Sequence, residues 1–247
     1  MTIRWVWAFL DRPAAQFDAA AEFWTTITGT ELSPRRGEHD EFVTLLPDSG
    51  AATLKMQSID GPARVHLDLD VDDVGAATER AEKLGATLAA DYILTERIGY
   101  AVLHSPAGMP FCFTPFRDSA GPLAPTVTGP ARDRSRLDQI CLDIGTSDYA
   151  EEARFWTALT GWAWRPGTLP EFARLSARPE IPIDLLLQRL GDDRPTSAHP
   201  DLACTDIDAT ADWHEQLGAH RGERGKHWLV MADPCGAPYC LTSRKPA

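Results

Sequence analysis

The chain has 247 residues, of which 36 are acidic and 24 basic, so its formal net charge is −12. This length suits one large domain or two of ordinary size. The negative charge repels phosphate backbones and anionic lipid surfaces, which argues against nucleic acid and membranes as partners. The longest apolar run near the start, WVWAFL, is shorter than a membrane span or a signal-peptide core. We therefore expect a cytoplasmic protein, and the odd number of scattered cysteines predicts reduced thiols.

The first elements can be predicted from periodicity and from the residues that break it. Residues 3–10 are apolar and aromatic, which indicates a strand. Residues 16–28 carry apolar side chains at helical spacing and stop at Gly29, a usual helix end. Short strands are expected at 41–46 and 52–58.

A second strand and helix follow in the same half of the chain. Residues 65–71 alternate strictly, which predicts a strand. Asp72 or Asp73 then caps a helix that runs through Leu84 and ends at Gly85. Further strands are expected near 90–95, 99–104 and 110–116. The half therefore consists of two copies of a small unit in which a strand and a helix precede further strands.

The second half of the chain repeats the first. EFWTTITG at 22–29 returns as RFWTALTG at 154–161, VHLDLDVDDV as AHPDLACTDI, and SPAGMPFCFTP as DPCGAPYCLTS. The stretch between the halves is rich in Pro and Gly, which is typical of a linker. The repeat predicts a first domain at 1–116, a linker at 117–136 and a second domain at 137–247.

This order of elements, together with FWxxxTG, HLDLDVDDV and the small-Pro-x-Gly turn before the last strand, resembles the vicinal oxygen chelate superfamily, also called glyoxalase/bleomycin-resistance/dioxygenase proteins. The resemblance covers both halves. It implies an α+β fold of tandem glyoxalase-like domains, each with paired βαβββ units that form a cup-shaped mixed sheet with helices outside. It also implies that the halves pair as an intramolecular pseudo-dimer. The superfamily contains metal-dependent enzymes and metal-free binding proteins, so the fold alone does not fix the activity.

Strand alternation predicts which side chains face the cup. Val65, Leu67, Leu69 and Val71 would pack on the helices, so the other face carries His66, Asp68 and Asp70. The same parity places Cys112 on this face, and His199, Asp201 and Cys240 on the equivalent face of the second half.

The metal-using members of the superfamily hold their ion with His or Gln, Glu, His and Glu. Carried over to this chain, the third and fourth positions fall on His66 and Cys112 in the first half and on His199 and Cys240 in the second. The first position falls near Trp7 and near Gln139, and the second near Lys55 and near Leu186. A hard metal ion prefers oxygen ligands, and none of these positions carries a carboxylate. We therefore expect no cofactor; the alternative is a divalent metal, with zinc on Gln139, His199 and Cys240.

Two catalytic interpretations stay open beside a structural one. In each His-x-Asp pair, the carboxylate could orient the imidazole as a general base, or the pair could be a structural hydrogen bond. Cys112 could act as a nucleophile beside His66 if its pKa were low, or it could be an inert thiol. The candidate catalytic residues are thus His66, Asp68 and Cys112.

The aromatic residues suggest the kind of ligand. Alternation places Trp5 and Trp7 on one face, where they would line a cavity for a flat apolar molecule or simply fill it. The remaining candidate ligand-binding residues are Lys55, Asp70, Gln139, His199, Asp201 and Cys240. Two hypotheses follow. The first is a metal-free protein that binds a small aromatic or hydrophobic molecule, of the sequestration or resistance type. The second is a metal-dependent glyoxalase-like lyase or dioxygenase.

Overall fold

The computed structural model describes residues 2–95, 98–117, 121–122 and 124–246, and in these ranges the order strand, helix, three strands recurs along the chain. The first half contains β1 (Ile3–Pro13), α1 (Phe17–Thr28), β2 (Thr30–Leu32), β3 (Phe42–Pro47), β4 (Leu54–Ile59), β5 (Arg64–Val71), α2 (Val74–Lys83), β6 (Thr87–Thr95), β7 (Ile98–His104) and β8 (Pro110–Pro115). The second contains β9 (Val127–Thr128), β10 (Arg134–Ile144), α3 (Tyr149–Thr160), β11 (Ala163–Pro166), β12 (Phe172–Ser176), β13 (Asp184–Arg189), β14 (Ser197–Cys204), α4 (Ile207–Gln216), β15 (His220–Arg224), β16 (Trp228–Ala232) and β17 (Pro238–Thr242).

The structure confirms the elements predicted for the first half and refines their ends. Helix α1 ends at Gly29, whose φ of 60° is left-handed. Asp73 is the cap of α2, since its side chain accepts a hydrogen bond from the amide of Ala76 at 2.9 Å. The short strand β2 is absent from the prediction because its three residues are largely exposed and carry no apolar alternation.

The segment expected to be a linker contains part of the sheet. Strand β9 pairs antiparallel with the start of β10, where Arg134 lies opposite Thr128. Strand β10 therefore begins at Arg134, inside the range 117–136. The start of this strand could not be predicted, because the side chains of residues 134–136, RSR, are polar and show no apolar alternation.

Two mixed sheets arise from these strands, so the fold class is α+β. In one sheet the order is β2-β3-β4-β1-β5-β8-β7-β6, and in the other it is β11-β12-β13-β10-β14-β17-β16-β15, with β9 on β10. The pairs β5–β8 and β14–β17 are parallel, whereas β3–β4, β7–β8 and β16–β17 are antiparallel. Within the described residues, no helix has the length and apolar character needed to span a membrane.

The chain divides into two compact units, and each contains segments of both halves. Unit 1 consists of Met1–Ala8, His66–Gly121 and Ile140–Ala198; unit 2 consists of Phe9–Val65, Pro122–Gln139 and His199–Ala247.

In unit 1, helix α3 packs on strand β8 and on the turn before it. The Trp156 and Phe111 rings lie 5.3 Å apart. The buried carboxylate of Glu152 accepts hydrogen bonds from the Trp156 indole at 2.7 Å and from the Ala107 amide at 2.9 Å. The turn itself needs Gly108, whose φ is 83°. A helix residue thus fixes the repeated turn in this unit.

In unit 2, the equivalent turn supplies the carboxylate itself. Asp233 accepts from the Trp24 indole at 3.0 Å and from Arg12 Nε at 2.8 Å, and both ion-pair side chains are fully buried. The other carboxylate oxygen of Asp233 accepts from the amides of Cys235 and Ala237. This carboxylate therefore holds strand β1, helix α1 and the turn before β17 together.

We expect Asp233→Ala to lower the free energy of unfolding by about 3–5 kcal/mol, because it leaves the buried Arg12 guanidinium without its counter-charge. Urea unfolding at pH 7 measures the change. Asp18→Ala is the matched control, since the Asp18 side chain is 92% exposed in its pair with Arg35 and its loss should cost less than about 1 kcal/mol. Equal effects of the two substitutions would contradict this role of Asp233.

Candidate functional site

Strand β5 and strand β8 bring the candidate residues of unit 1 together. Their parallel register places Asp68 beside Cys112 and Asp70 beside Thr114. Because residues two apart on a strand point the same way, His66 and Asp68 share the face on which Cys112 lies. We call His66, Asp68 and Cys112 cluster 1.

The polar atoms of cluster 1 are close to one another. His66 Nε2 lies 3.5 Å from Asp68 Oδ1, and the nitrogen, oxygen and sulfur atoms of the three side chains lie within 4.8 Å of one another. His66 and Asp68 are buried, while Cys112 is half-buried. The cluster thus has solvent access on its Cys112 side.

A second set of contacts fixes the indole of Trp7. Its Nε1 donates to Asp70 Oδ2 at 3.1 Å, and the Thr114 hydroxyl donates to Asp70 Oδ1 at 2.6 Å. Trp5 is fully buried and meets Trp7 edge-on, with the ring centroids 6.4 Å apart. Thr114 was not among the candidate residues, although its parity with Cys112 on β8 indicates the same face.

Cluster 2 consists of His199, Asp201 and Cys240, on the parallel pair β14–β17 in unit 2. Register places Asp201 beside Cys240. His199 Nε2 lies 3.3 Å from Cys240 Sγ and 3.4 Å from Asp201 Oδ1. Gln139 Nε2 donates to Asp201 Oδ2 at 2.8 Å. The three cluster residues and Gln139 are buried, so this cluster is less accessible than cluster 1.

Two of the predicted positions lie on other strands. Lys55, on β4 in unit 2, lies opposite Thr44, and its ammonium lies 5.2 Å from the centroid of the Phe9 ring. Leu186, on β13 in unit 1, lies opposite Arg174. The role of Lys55 in ligand binding stays a prediction.

The surroundings of Cys112 oppose its use as a nucleophile. Burial raises the pKa of the Cys112 thiol, and the hydrogen bond with His66 lowers that pKa by a smaller amount. A raised pKa leaves little thiolate near neutral pH. The His-x-Asp contact of 3.5 Å is compatible with both the general-base and the structural interpretation.

The residues present fit one kind of metal better than another. Each cluster offers a nitrogen, a carboxylate oxygen and a sulfur, and a tetrahedral zinc ion has ligand atoms about 3.3–3.6 Å apart. The contacts of His199 have this spacing. A magnesium-type ion prefers oxygen ligands throughout and does not fit. The predicted zinc set contained Gln139, but the structure brings Asp201 to His199 and points the Gln139 amide nitrogen at that carboxylate. The i, i+2 spacing of His and Asp was the sequence signal for this set.

The family of the chain is shown by sequence. The model of the glyoxalase-like domain family matches residues 7–114 and 139–242, so the chain belongs to this family and carries its domain twice in tandem. A search of curated protein sequences finds no match.

Solved structures share the fold. They include 2,2',3-trihydroxybiphenyl 1,2-dioxygenase from Sphingomonas wittichii RW1, with a TM-score of 0.61, 15% identity and coverage of 96% of this chain and 88% of that one. A catechol 2,3-dioxygenase has a TM-score of 0.61 and 17% identity over 100% and 91% of the two chains. Homoprotocatechuate 2,3-dioxygenase from Brevibacterium fuscum has a TM-score of 0.61 and 14% identity over 97% and 79%. These similarities place the chain in the vicinal oxygen chelate fold.

We expect Cys112 to react with iodoacetamide more slowly than a free thiol at pH 8, because its pKa is raised by burial. His66→Leu should slow the reaction further, since leucine has no donor and the hydrogen bond that lowers the Cys112 pKa is lost. Peptide mass spectrometry at several pH values gives the midpoint for Cys112. A midpoint below the ordinary thiol value of about 8.5 would contradict the inert thiol and support a nucleophile.

Proposed function

We propose that the protein binds a small aromatic or hydrophobic molecule without a metal ion, in the manner of sequestering or resistance proteins, on the face of unit 1 that carries cluster 1. The observation that carries this proposal is the fixed Trp7 indole beside Asp70 and Thr114. The Trp7 indole is 9% exposed, and because its hydrogen bond to Asp70 already fixes it, a flat ligand that packs against its exposed part costs little conformational entropy. Cys112 and Thr114 are half-buried, so this part of the face is accessible to a ligand.

The composition of the clusters supports binding rather than metal chemistry. The positions at which metal-using relatives carry glutamates are Lys55, Cys112, Leu186 and Cys240 here. The names of the similar structures, dioxygenases of catechol and of trihydroxybiphenyl, support an aromatic ligand.

Salicylate and catechol test the binding proposal, because they are aromatic molecules of similar size that differ in charge. We expect both to bind in isothermal titration calorimetry and Trp7→Phe to weaken both several-fold, since the indole contact with Asp70 is lost. Trp228→Phe, on β16, is the matched control and should leave binding unchanged. Absence of binding by both compounds, or equal binding to Trp7→Phe and the parent, would contradict the proposal.

A metal-dependent lyase or dioxygenase is the second candidate, and the observation that favours it is the zinc-like spacing around His199. His199, Asp201 and Cys240 would then hold the ion, and the ion would polarise a bound oxygen atom of the substrate. Gln139 would keep the Asp201 carboxylate in position through its hydrogen bond.

Elemental analysis of protein purified without chelators separates the two candidates. We expect no stoichiometric zinc, iron, nickel or manganese. One firmly held ion per chain would overturn the metal-free proposal. Loss of that ion in Asp201→Ala but not in Asp68→Ala would then assign it to cluster 2.

A further inference from the structure

Unit 2 contains an open cleft whose lining includes no residue of cluster 2. Its enclosed volume is about 40 Å³, and about 390 Å³ when the space open to solvent at its mouth is counted. Among the described residues, the lining is aliphatic with some threonines and contains no aromatic ring; its main members are Leu45, Thr53, Leu54, Val127, Arg136 and Leu137. Such a lining suits a small ligand with an aliphatic part.

The walls of the cleft come from the β3–β4 hairpin, from strand β10 and from the segment that precedes it. The amide of Ala51 donates to the carbonyl of Pro122 at 2.8 Å, which ties the hairpin to that segment. The Thr28 hydroxyl donates to the carbonyl of Trp24 at 2.6 Å, so it accepts from the Thr30 hydroxyl, which lies 2.8 Å away. The hydroxyl of Thr53 makes no hydrogen bond with a described residue.

Arg136 places a positive charge on the wall of this cleft. Its Nε is buried and has no hydrogen-bond partner among the described residues. Its Nη1 makes one long contact, 3.4 Å, with the carbonyl of Ala124. Asp138, two residues further on, forms its ion pair with Arg244 at 2.7 Å. Within the described part of the chain, Arg136 has no carboxylate at ion-pair distance.

The Arg136 guanidinium can still donate hydrogen bonds to a ligand in the cleft. Burial lowers the pKa of this guanidinium, the charge of Asp138 opposes that shift by a smaller amount, and arginine stays protonated in proteins. Because Nε is buried, the Nη donors are the ones that an anion in the cleft would contact. A carboxylate fits the planar guanidinium geometrically and forms a charge-assisted hydrogen bond with it.

We propose that this cleft binds a small carboxylate with a short aliphatic chain. The carboxylate accepts a hydrogen bond from the Nη donors of Arg136 and one from the Thr53 hydroxyl. The chain lies against Leu45, Leu54 and Leu137. This site goes beyond the proposed function, since it uses other residues and another ligand chemistry than the face with Trp7.

Hexanoate and hexanamide test the charge requirement on the full chain, because they share shape and differ in charge. Amide shifts of residues 51–54 in NMR spectra report occupancy of the cleft. We expect hexanoate to bind at least about tenfold more tightly than hexanamide, and Arg136→Gln to weaken hexanoate by about tenfold or more. Arg136→Lys should keep part of the affinity, because it keeps the charge without the fork of donors.

Arg134→Gln is the matched control, since Arg134 is exposed and lies two residues away on β10; hexanoate binding should not change. Thr53→Trp fills the cleft and should abolish binding while Arg136 stays in place. Equal affinities for hexanoate and hexanamide, no shifts at millimolar hexanoate, or unchanged binding in Arg136→Gln would overturn the proposal. Trp7→Phe separates the two proposals, because it should weaken catechol and leave hexanoate unaffected.

Discussion

A buried carboxylate that accepts a hydrogen bond from a helix tryptophan is the interaction on which both units depend. Trp24 and Trp156 occupy equivalent places in the two halves and are fully buried. An indole N–H removed from water needs an acceptor, and each unit supplies one that also fixes the turn before its parallel strand. Each turn determines the path of the strand that follows it, which is β8 in unit 1 and β17 in unit 2. The positions of Cys112 and Cys240 beside their aspartates follow from it.

The carboxylate that accepts from the tryptophan indole comes from a different position of the repeat in each unit. Unit 1 uses Glu152 on the helix, where the first half has alanine; unit 2 uses Asp233 in the turn, where the first half has Ser105. Asp233 is accompanied by Arg12, whereas burial raises the pKa of Glu152 and its hydrogen bonds oppose that rise. The position of the buried carboxylate therefore differs between the duplicated halves, whereas its hydrogen bond with the tryptophan indole is present in both units.

Much of the fold and part of the site could be predicted from the sequence. Local signals sufficed for α1, for the cap at Asp73 and for the common face of His66, Asp68 and Cys112, because periodicity, caps and parity act over a few residues. The link from Asp233 to Arg12 could not be predicted, since no local pattern reports a contact between residues 221 positions apart. The i, i+2 spacing predicted the pairing of His199 with Asp201, whereas the hydrogen bond from Gln139 to Asp201 depends on side-chain directions that the sequence does not report. The cleft at Arg136 could not be predicted, because the start of β10 has the composition of a linker.

The ion pair between Arg12 and Asp233 also has a consequence for synthesis in the cell. The two residues are 221 positions apart, so the first strand and helix leave the ribosome long before their partner exists. At about 5–20 residues per second, the delay is on the order of 10–40 s. During this time the charge of Arg12 must stay in water, because no native carboxylate is yet available to bury it. Unit 2 can complete its core only when the segment that carries Asp233 has been made, and this long-range closure makes its folding slower than local helix formation.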